Sequence, residues 1–302
     1  MREALLFALL LATAGCGPVD SLRHALLRTP PHDRYAASLH ALGLDSTRIG
    51  ARWLDAGRVA LNEAAPIQIP HRTTADVRSD SPSAFAYRVE LRRGQVYVIA
   101  VEPNRPRLNV FIDLFMGASD GAARRVAGIG PPARGLAFEP DEDGTFIVRI
   151  QPELLASGQA AVVQTARAAL LFPLPGVNRK SIQSFFGASR SAGRREHQGI
   201  DIFAPRGTPA VAAADGWISS TAPNELGGNV VWLWDPQRNQ TLYYAHLDRH
   251  AVNRGDRVRK GEVVGFVGNT GNARTTAPHL HFGIYRRGEG AIDPLPYVVD
   301  PS

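Results

Sequence analysis

The stretch HLHFGIY, residues 279–285, favours a β-strand because apolar side chains such as Leu280 and Phe282 recur at every second position. Residues two apart in a strand face the same side, so His279 and His281 point together, away from that apolar set. Burying two imidazoles without a task is unfavourable. The neighbouring pair therefore indicates a functional site.

A second pair lies upstream in HQGID, residues 197–201. Gly199 and the β-branched residues around it argue against a helix. In an extended segment His197 and Asp201 share a face, and Gly199 between them leaves room for an ion or a substrate backbone. A fifth candidate, His246, ends the strand-like string YYAH.

Four histidines and one aspartate are typical of a hydrolytic metal site. A catalytic zinc ion keeps three protein ligands and one open position, so two of the five candidates are left for acid–base work. Spacing alone does not say which two. Imidazole-rich ligation favours zinc over magnesium or calcium, and a cysteine-rich structural site is excluded because Cys16 is the only cysteine.

Residues 184–284 resemble the lysostaphin-like family of zinc metallopeptidases, which cleave peptide cross-links in bacterial peptidoglycan. The joint occurrence of H-x-x-x-D, A-H-L and H-L-H is specific, whereas any one of them alone is a weak signal. The matching strings, in the family's order, are SFFGASR, HQGIDIFAPRGTPAVAAADGWI, GGNVVW, YYAHLDRHAVNRGDRVRKGEVVGFVGNTG and APHLHFGIY.

The resemblance implies a role for each of the five residues. His197, Asp201 and His281 are expected to bind one zinc ion per chain. His246 and His279 are expected to be unligated catalytic histidines. We take His279 as the general base and His246 as the residue that positions the substrate and stabilises the oxyanion, with the reverse assignment left open.

The N-terminus predicts export. An apolar run follows Arg2 and ends at Ala14, which is too short to span a bilayer but suits a lipoprotein signal peptide over residues 1–15. The string TAGC resembles a bacterial lipobox, which implies lipidation of Cys16 and a lipid anchor in the membrane. By the same resemblance Gly17 favours the outer membrane, so the expected location is the periplasmic side of the cell envelope.

The periodicity predicts a mainly β protein. A short helical or linker segment is expected over residues 16–65, where leucines recur at helical spacing. Period-two alternation over residues 66–168 predicts a middle β-sandwich, which resembles the bacterial pre-peptidase C-terminal type. Residues 169–302 are predicted to form an antiparallel β-sheet metallopeptidase domain with a hairpin turn at 236–239.

Other residues are expected to be structural. In the sandwich, Val96, Val98 and Ala100 are taken as the apolar face of one strand. Tyr243 and Tyr244 alternate faces, so one of them is a candidate for the cleft wall. Expected at the surface are His24, His32, His40 and His250. Expected to pack or to shape turns are Trp217, Trp232, Trp234, Asn229 and Asn269.

The predicted function is hydrolysis of peptidoglycan peptide cross-links through a zinc-activated water, with the peptide stems as partner. The alternative is a non-catalytic wall-binding relative that activates another hydrolase; that class commonly loses ligand residues, whereas all five are present here. A net charge of +6 without blocks of like charge predicts no nucleic-acid partner. An outer-membrane lipobox favours a diaminopimelate cross-link over a glycine bridge as the bond that is cut.

Overall fold

The computed structural model describes residues 29–104, 108–117, 123–190 and 195–301. The predicted signal peptide, Cys16 and His24 lie outside the described residues, so lipidation stays a prediction. Within the described ranges, no helix combines the length and the apolar character needed to cross a bilayer.

Two helices precede the first sheet, α1 (Pro31–Ala41) and α2 (Arg48–Asn62). Pro31 sits in the first turn of α1, where its missing N–H leaves no intrahelical bond unmade. Helix α2 begins after Thr47, whose Oγ1 accepts a hydrogen bond of 3.1 Å from the backbone N–H of Gly50.

Nine strands build a two-sheet sandwich: β1 (Ala65–Pro66), β2 (His71–Val77), β3 (Phe85–Leu91), β4 (Gln95–Pro103), β5 (Val110–Met116), β6 (Arg124–Ile129), β7 (Gly135–Phe138), β8 (Gly144–Pro152) and β9 (Gly158–Ala168). One sheet has the order β1-β3-β8-β5-β6 and the other β2-β9-β4-β7. Alternate residues of both sheets, such as Ile112, Val148 and Val162, meet in one apolar core.

The buried face of β4 is the opposite of the one predicted. Tyr97, Ile99 and Val101 are buried in the core, whereas Val98 and Ala100 are only half-buried, and of the predicted set Val96 alone is buried. The strand is apolar at nearly every position, so its sequence carries no alternation that could specify a face. The position of β4 between β9 and β7 decides which side turns inward.

The helices cover the outer face of the five-stranded sheet, and this corrects the surface position predicted for His32. His32 is 7% exposed, and its ring stacks on Trp53 with the ring centroids 5.1 Å apart. Its Nε2 forms a 2.8 Å hydrogen bond with Gln151 Oε1 of β8. His32 and Leu39 lie two turns apart on the packed face of α1, a helical period that could have indicated burial.

The remaining strands are β10 (Ile182–Ser184), β11 (Ser189–Arg190), β12 (Arg195–Glu196), β13 (Ile200–Phe203), β14 (Pro209–Val211), β15 (Gly216–Ser220), β16 (Asn229–Asp235), β17 (Gln240–His250), β18 (Arg257–Val258), β19 (Val263–Val267), β20 (His279–Arg286) and β21 (Gly290–Ile292), followed by the short helix α3 (Leu295–Val298). Most of them join one sheet whose main order is β10-β13-β20-β17-β16-β15-β18. The predicted hairpin is confirmed, since β16 and β17 pair on either side of residues 236–239. The mainly β fold is likewise confirmed.

Polar contacts join the sandwich to this larger sheet. Arg238, in the β16–β17 turn, donates to both carboxylate oxygens of Glu139 at 2.7 and 2.9 Å. Arg93 pairs with Glu289 at 2.5 Å. A Cβ on Gly94, which has φ +85°, would lie 2.7 Å from the ring of Tyr297, so a side chain there would force the two units apart.

Candidate functional site

Strand register brings two of the predicted site residues together. Asp201 of β13 lies directly opposite His281 of β20 in an antiparallel pair. The flanking residues Ile200 and Ile202 are fully buried in the core below the sheet, so Asp201 faces the other side, where the cleft lies. His279 shares that face with His281, as the alternation of HLHFGIY predicts.

His197 reaches the same place from an irregular segment. The strand predicted over HQGID begins only at Ile200, and the chain bends at Gly199. A Cβ on Gly199 would lie 2.8 Å from the imidazole of His281. Gly199 therefore makes room for that ligand ring, and its predicted role of leaving room for an ion or a substrate is corrected.

Three electron-pair donors converge in the cleft. His197 Nε2 lies 3.0 Å from Asp201 Oδ1 and 2.9 Å from His281 Nδ1, and the last two atoms are 3.0 Å apart. Burial by itself would raise the pKa of Asp201, but its contacts with His197 and His281 outweigh burial and hold that pKa well below its usual range. The carboxylate is therefore ionised, as a metal ligand must be.

Backbone and side-chain contacts behind the triangle orient its members. His197 Nδ1 lies 2.9 Å from the carbonyl oxygen of Phe185 and can only donate to it, which leaves a lone pair on Nε2. Arg190 donates from Nη2 to Asp201 Oδ2 at 2.7 Å and to Ser184 Oγ at 2.5 Å. Asp201 Oδ1 thus remains available to the two histidines.

Arg190 was not among the predicted site residues. It lies in the Arg-rich segment before His197, where the sequence offers no way to choose one arginine from the next. Its register partner Arg195 is exposed, and only the hairpin of β11 with β12 determines which of the two reaches the carboxylate.

His246 enters the cleft through an irregularity in β17. By strand alternation it would follow Tyr244 into the core, because Tyr243 and Ala245 occupy the cleft face. Its backbone instead adopts φ +62°, a left-handed conformation that is uncommon for residues other than glycine. Strand β17 leaves β20 at Ala245 and pairs with β19 from Leu247, and His246 is the residue that makes this change.

Both remaining histidines present Nε2 to the cleft. His246 Nδ1 donates to the carbonyl oxygen of Thr270 and His279 Nδ1 to that of Ala277, each at 2.9 Å. Their ring centroids are 5.0 Å apart. Burial, reinforced by the neighbouring His279 and His281, lowers the pKa of His246 to about 4, so that this imidazole is neutral at pH 7.

The five residues line a cleft of about 830 Å³ whose described walls come from residues 183–285. Tyr243 lines this cleft, whereas Tyr244 is buried in the core, where its hydroxyl oxygen accepts a hydrogen bond from the backbone N–H of Ala213 at 2.8 Å. Trp232 packs on Tyr243, as predicted, and it also lines the cleft.

The other predictions have mixed outcomes. Trp217 is 43% exposed and His250 is half-buried, so neither has the position predicted for it. His40 is exposed, as predicted. The structural roles of Asn229 and Asn269 are confirmed, since their side-chain amides donate to backbone carbonyls, at 3.0 Å to Asp248 and at 3.3 Å to Thr276 respectively.

Comparison with known proteins agrees with this geometry. Residues 195–294 match Peptidase family M23. The chain is 41% identical over 91 residues to the peptidoglycan DD-endopeptidase ShyC of Vibrio cholerae, a match that covers 29% of this chain and 20% of that protein. It is 36% identical over 138 residues to an L-Ala–D-Glu endopeptidase of Bacillus subtilis, covering 42% of each. It is 48% identical over 88 residues to the DD-carboxypeptidase/endopeptidase Mpg of Neisseria meningitidis, covering 29% of this chain and 20% of that protein.

The similarity is thus limited to one part of each protein, since the matched segments span at most 42% of these relatives. Within this chain the family match, residues 195–294, falls on the larger sheet and its cleft. All five site residues lie inside the matched range. Residues 195–294 therefore belong to peptidase family M23, a family of metallopeptidases, which confirms for this domain the resemblance that its motifs predicted.

Proposed function

We propose that this protein is a zinc-dependent endopeptidase that hydrolyses peptide cross-links of bacterial peptidoglycan. The observation that carries the proposal is the triangle of His197 Nε2, Asp201 Oδ1 and His281 Nδ1, whose sides measure 2.9–3.0 Å. Two further histidines with free Nε2 atoms lie beside it. The names of the relatives, among them a peptidoglycan DD-endopeptidase, support a cell-wall substrate.

The donor set fits zinc. Two imidazole nitrogens and one carboxylate oxygen converge from two chain segments, residues 197–201 and strand β20. Two nitrogen ligands and one oxygen ligand are a donor set typical of catalytic zinc. When bound, the ion would supply Lewis-acid activation of a water molecule and of the scissile carbonyl near neutral pH. Arg190, on the far oxygen of Asp201, keeps the ligand oxygen directed at the two histidines.

His246 and His279 handle the proton. One Nε2 accepts the proton of the attacking water and returns it to the amide nitrogen as the C–N bond breaks. His246 is neutral at pH 7 and keeps a lone pair on Nε2, so it accepts a hydrogen bond from the attacking water and positions it. It can donate to the oxyanion on the carbonyl only after it has taken up a proton. His279 Nε2 lies 4.0 Å from Asp201 Oδ1, whose negative charge stabilises a proton there, and this supports His279 as the general base.

Turnover of purified sacculi by the zinc-loaded protein tests the proposal. We expect release of cross-linked peptide ends by the parent protein. His281→Ala removes one donor of the triangle, so we expect zinc content and turnover both to fall to background. His40→Ala, at a histidine whose side chain is 78% exposed on α1, is the matched control and keeps both. Equal turnover by parent and His281→Ala would exclude the zinc mechanism, and no turnover by the zinc-loaded parent would favour the non-catalytic alternative.

The bond that we propose is the D-alanyl–diaminopimelate cross-link. Two of the three relatives described above carry DD-endopeptidase activity in their names, whereas the third is named for the L-Ala–D-Glu bond. Mass spectrometry of the products from defined muropeptide dimers distinguishes these bonds. Monomers with intact stems support the proposal, and loss of L-alanine from the stem contradicts it.

We further propose that Cys16 carries a lipid anchor that holds the protein at the periplasmic face of the outer membrane. The proposal rests on the lipobox-like TAGC and the apolar run before it. Labelling with a palmitate analogue, followed by membrane fractionation, tests it. We expect label in the parent and none in Cys16→Ser, which becomes soluble. Label that persists in Cys16→Ser would contradict the anchor.

A further inference from the structure

A row of aromatic rings continues the cleft floor beyond the triangle. Trp232 of β16 lies opposite Tyr243 of β17, and Tyr243 lies opposite Gly283 of β20, two residues before Tyr285. Since residues two apart share a face, these rings stand on the same side of the sheet as His281. We call Trp232, Tyr243 and Tyr285 the aromatic shelf.

The rings of the shelf touch one another and reach the metal-ligand cluster. The ring centroids of Trp232 and Tyr243 are 4.1 Å apart, and those of Trp232 and Tyr285 are 5.2 Å apart. Tyr243 lies edge-on to the imidazole of His281 at 5.8 Å. An extended peptide advances about 3.3–3.6 Å per residue. The shelf therefore begins within two residues of a bond held at the triangle.

Core packing does not account for the shelf. The main core of this domain lies on the opposite face, where Leu242 and Tyr244 are buried. The shelf rings belong instead to a separate apolar cluster around Val230 and Ala245, and all three line the cleft. Trp232 and Tyr285 remain only half-buried. Large aromatic side chains left half-open beside a reaction centre indicate a surface that is completed by a ligand.

Glycines shape the shelf at two places. A Cβ on Gly283 would lie 3.2 Å from the ring of Tyr285 and 3.0 Å from the carbonyl oxygen of Gln198. A side chain at this position, between His281 and Tyr285 on β20, would therefore displace the Tyr285 ring or the Gln198 backbone. A Cβ on Gly227 would lie 2.0 Å from the hydroxyl oxygen of Tyr243, so the loop holds this ring in place by close backbone approach.

The shelf is apolar and uncharged. Asn224 Nδ2 donates to the hydroxyl oxygen of Tyr243 at 3.3 Å, and the Tyr285 hydroxyl donates to Gln198 Oε1 at 3.4 Å. Both partners are neutral amides. Burial raises the pKa of Tyr243 and of Tyr285, so both hydroxyls stay protonated at neutral pH. Such a surface matches a methylene chain and has no charge to offer an ammonium or a carboxylate.

We propose that the aromatic shelf binds the aliphatic chain that flanks the scissile amide. The inference rests on the proposed function, because a diaminopimelate cross-link carries a short methylene chain on the carbon that bears the nitrogen of the bond that is cut. The shelf begins within the reach of that chain, and its chemistry suits methylene groups. Trp232 is then a specificity-determining residue.

Two synthetic cross-linked dimers test the inference, one with diaminopimelate and one with the shorter diaminopropionate at the cross-link. We expect the zinc-loaded parent to cleave the long-chain dimer with the lower KM. Trp232→Ala raises KM for that dimer by roughly ten-fold or more and leaves kcat and the short-chain dimer nearly unchanged. Trp217→Ala, at an exposed tryptophan of neighbouring β15 outside the cleft lining, is the matched control and retains the parent's preference.

Failure of the inference and failure of the proposed function give different results. Equal KM values of the parent for both dimers, or equal losses for both in Trp232→Ala, would overturn the shelf alone. If the parent cleaves neither dimer, the proposed function fails. The shelf can then still be tested by measuring calorimetrically how tightly the parent binds each dimer. Tighter binding of the long-chain dimer that Trp232→Ala abolishes supports it, and equal binding overturns it. Thermal melts of each variant establish that the domain is folded.

Discussion

The outer face of the five-stranded sheet and the floor of the cleft both bury titratable side chains, but they arrange them differently. Under the helices, Arg149 donates to Asp113 Oδ2 at 2.7 Å, and Arg125 donates to Asp33 at 2.8 Å. His32 meets the neutral side chain of Gln151. Each of these charged side chains is paired with one of opposite charge.

On the cleft floor, groups of the same kind converge. The triangle brings together three electron-pair donors, and the two free Nε2 atoms beside it add two more acceptors. Complementary pairs satisfy each other and need nothing further, whereas converging acceptors are stabilised by a cation or by protons. The comparison shows that complementarity, more than burial or a shifted pKa, separates a structural cluster from a reactive one.

The largest expected effect lies in the cleft. In His246→Ala one of the two histidines that act on the attacking water is lost while the triangle stays complete, so we expect the turnover of cross-linked dimers to fall by roughly 10²–10⁴-fold. Zinc content, measured by metal analysis, should stay at one ion per chain. Loss of zinc together with activity would show that His246 is a ligand, and the division of the five residues would be wrong.

Removing a charge from the structural cluster should act on stability alone. Asp113→Ala leaves Arg149 buried without its carboxylate, and we expect the free energy of unfolding to fall by about 3–5 kcal/mol. Urea denaturation measures the change. Zinc affinity of the folded protein should match the parent's, since Asp113 lies outside the cleft lining.

Two further variants sharpen this test. Asp113→Leu combined with Arg149→Met removes both charges, and we expect it to recover most of the lost stability. Asp55→Ala breaks an exposed ion pair with Arg58 on α2, and the expected loss is below about 1 kcal/mol. A loss in Asp55→Ala as large as in Asp113→Ala would contradict the distinction between buried and exposed pairs.

The smallest effect expected in the cleft concerns the residue that links the two kinds of cluster, since Arg190 is a complementary partner inside the reactive site. Arg190→Gln frees Asp201 Oδ2 and loosens the ligand, so we expect zinc affinity to fall by roughly 10–100-fold. Competition with a chromophoric chelator measures it. Arg195→Gln, at the register partner, should keep the parent's affinity, and Arg190→Lys should recover part of the loss. Equal zinc affinities of Arg190→Gln and the parent would show that Arg190 does not support the metal ligand.

Much of the candidate site could be predicted because its signals are local. The alternation in HLHFGIY places His279 and His281 on one face, and the structure agrees. The prediction failed where local pattern carries no information. Strand β4 is apolar on both faces, so its inward side could not be chosen. The cleft position of Trp232 could not be predicted either, because a tryptophan that packs in a core and one that lines a cleft look the same in the sequence. His32 is a different case, because its helical spacing to Leu39 was a local signal of burial that the prediction did not use.

By itself, the sequence determined which side chains are available for chemistry and which neighbours share a face, because a strand repeats every two residues whatever surrounds it. Tertiary structure alone decided the rest. The register of β13 against β20 sets Asp201 opposite His281, and a left-handed backbone turns His246 out of the core as its strand changes partners. The β11–β12 hairpin selects Arg190. The register and the change of strand partner depend on contacts between segments far apart in the sequence, whose geometry no short stretch encodes.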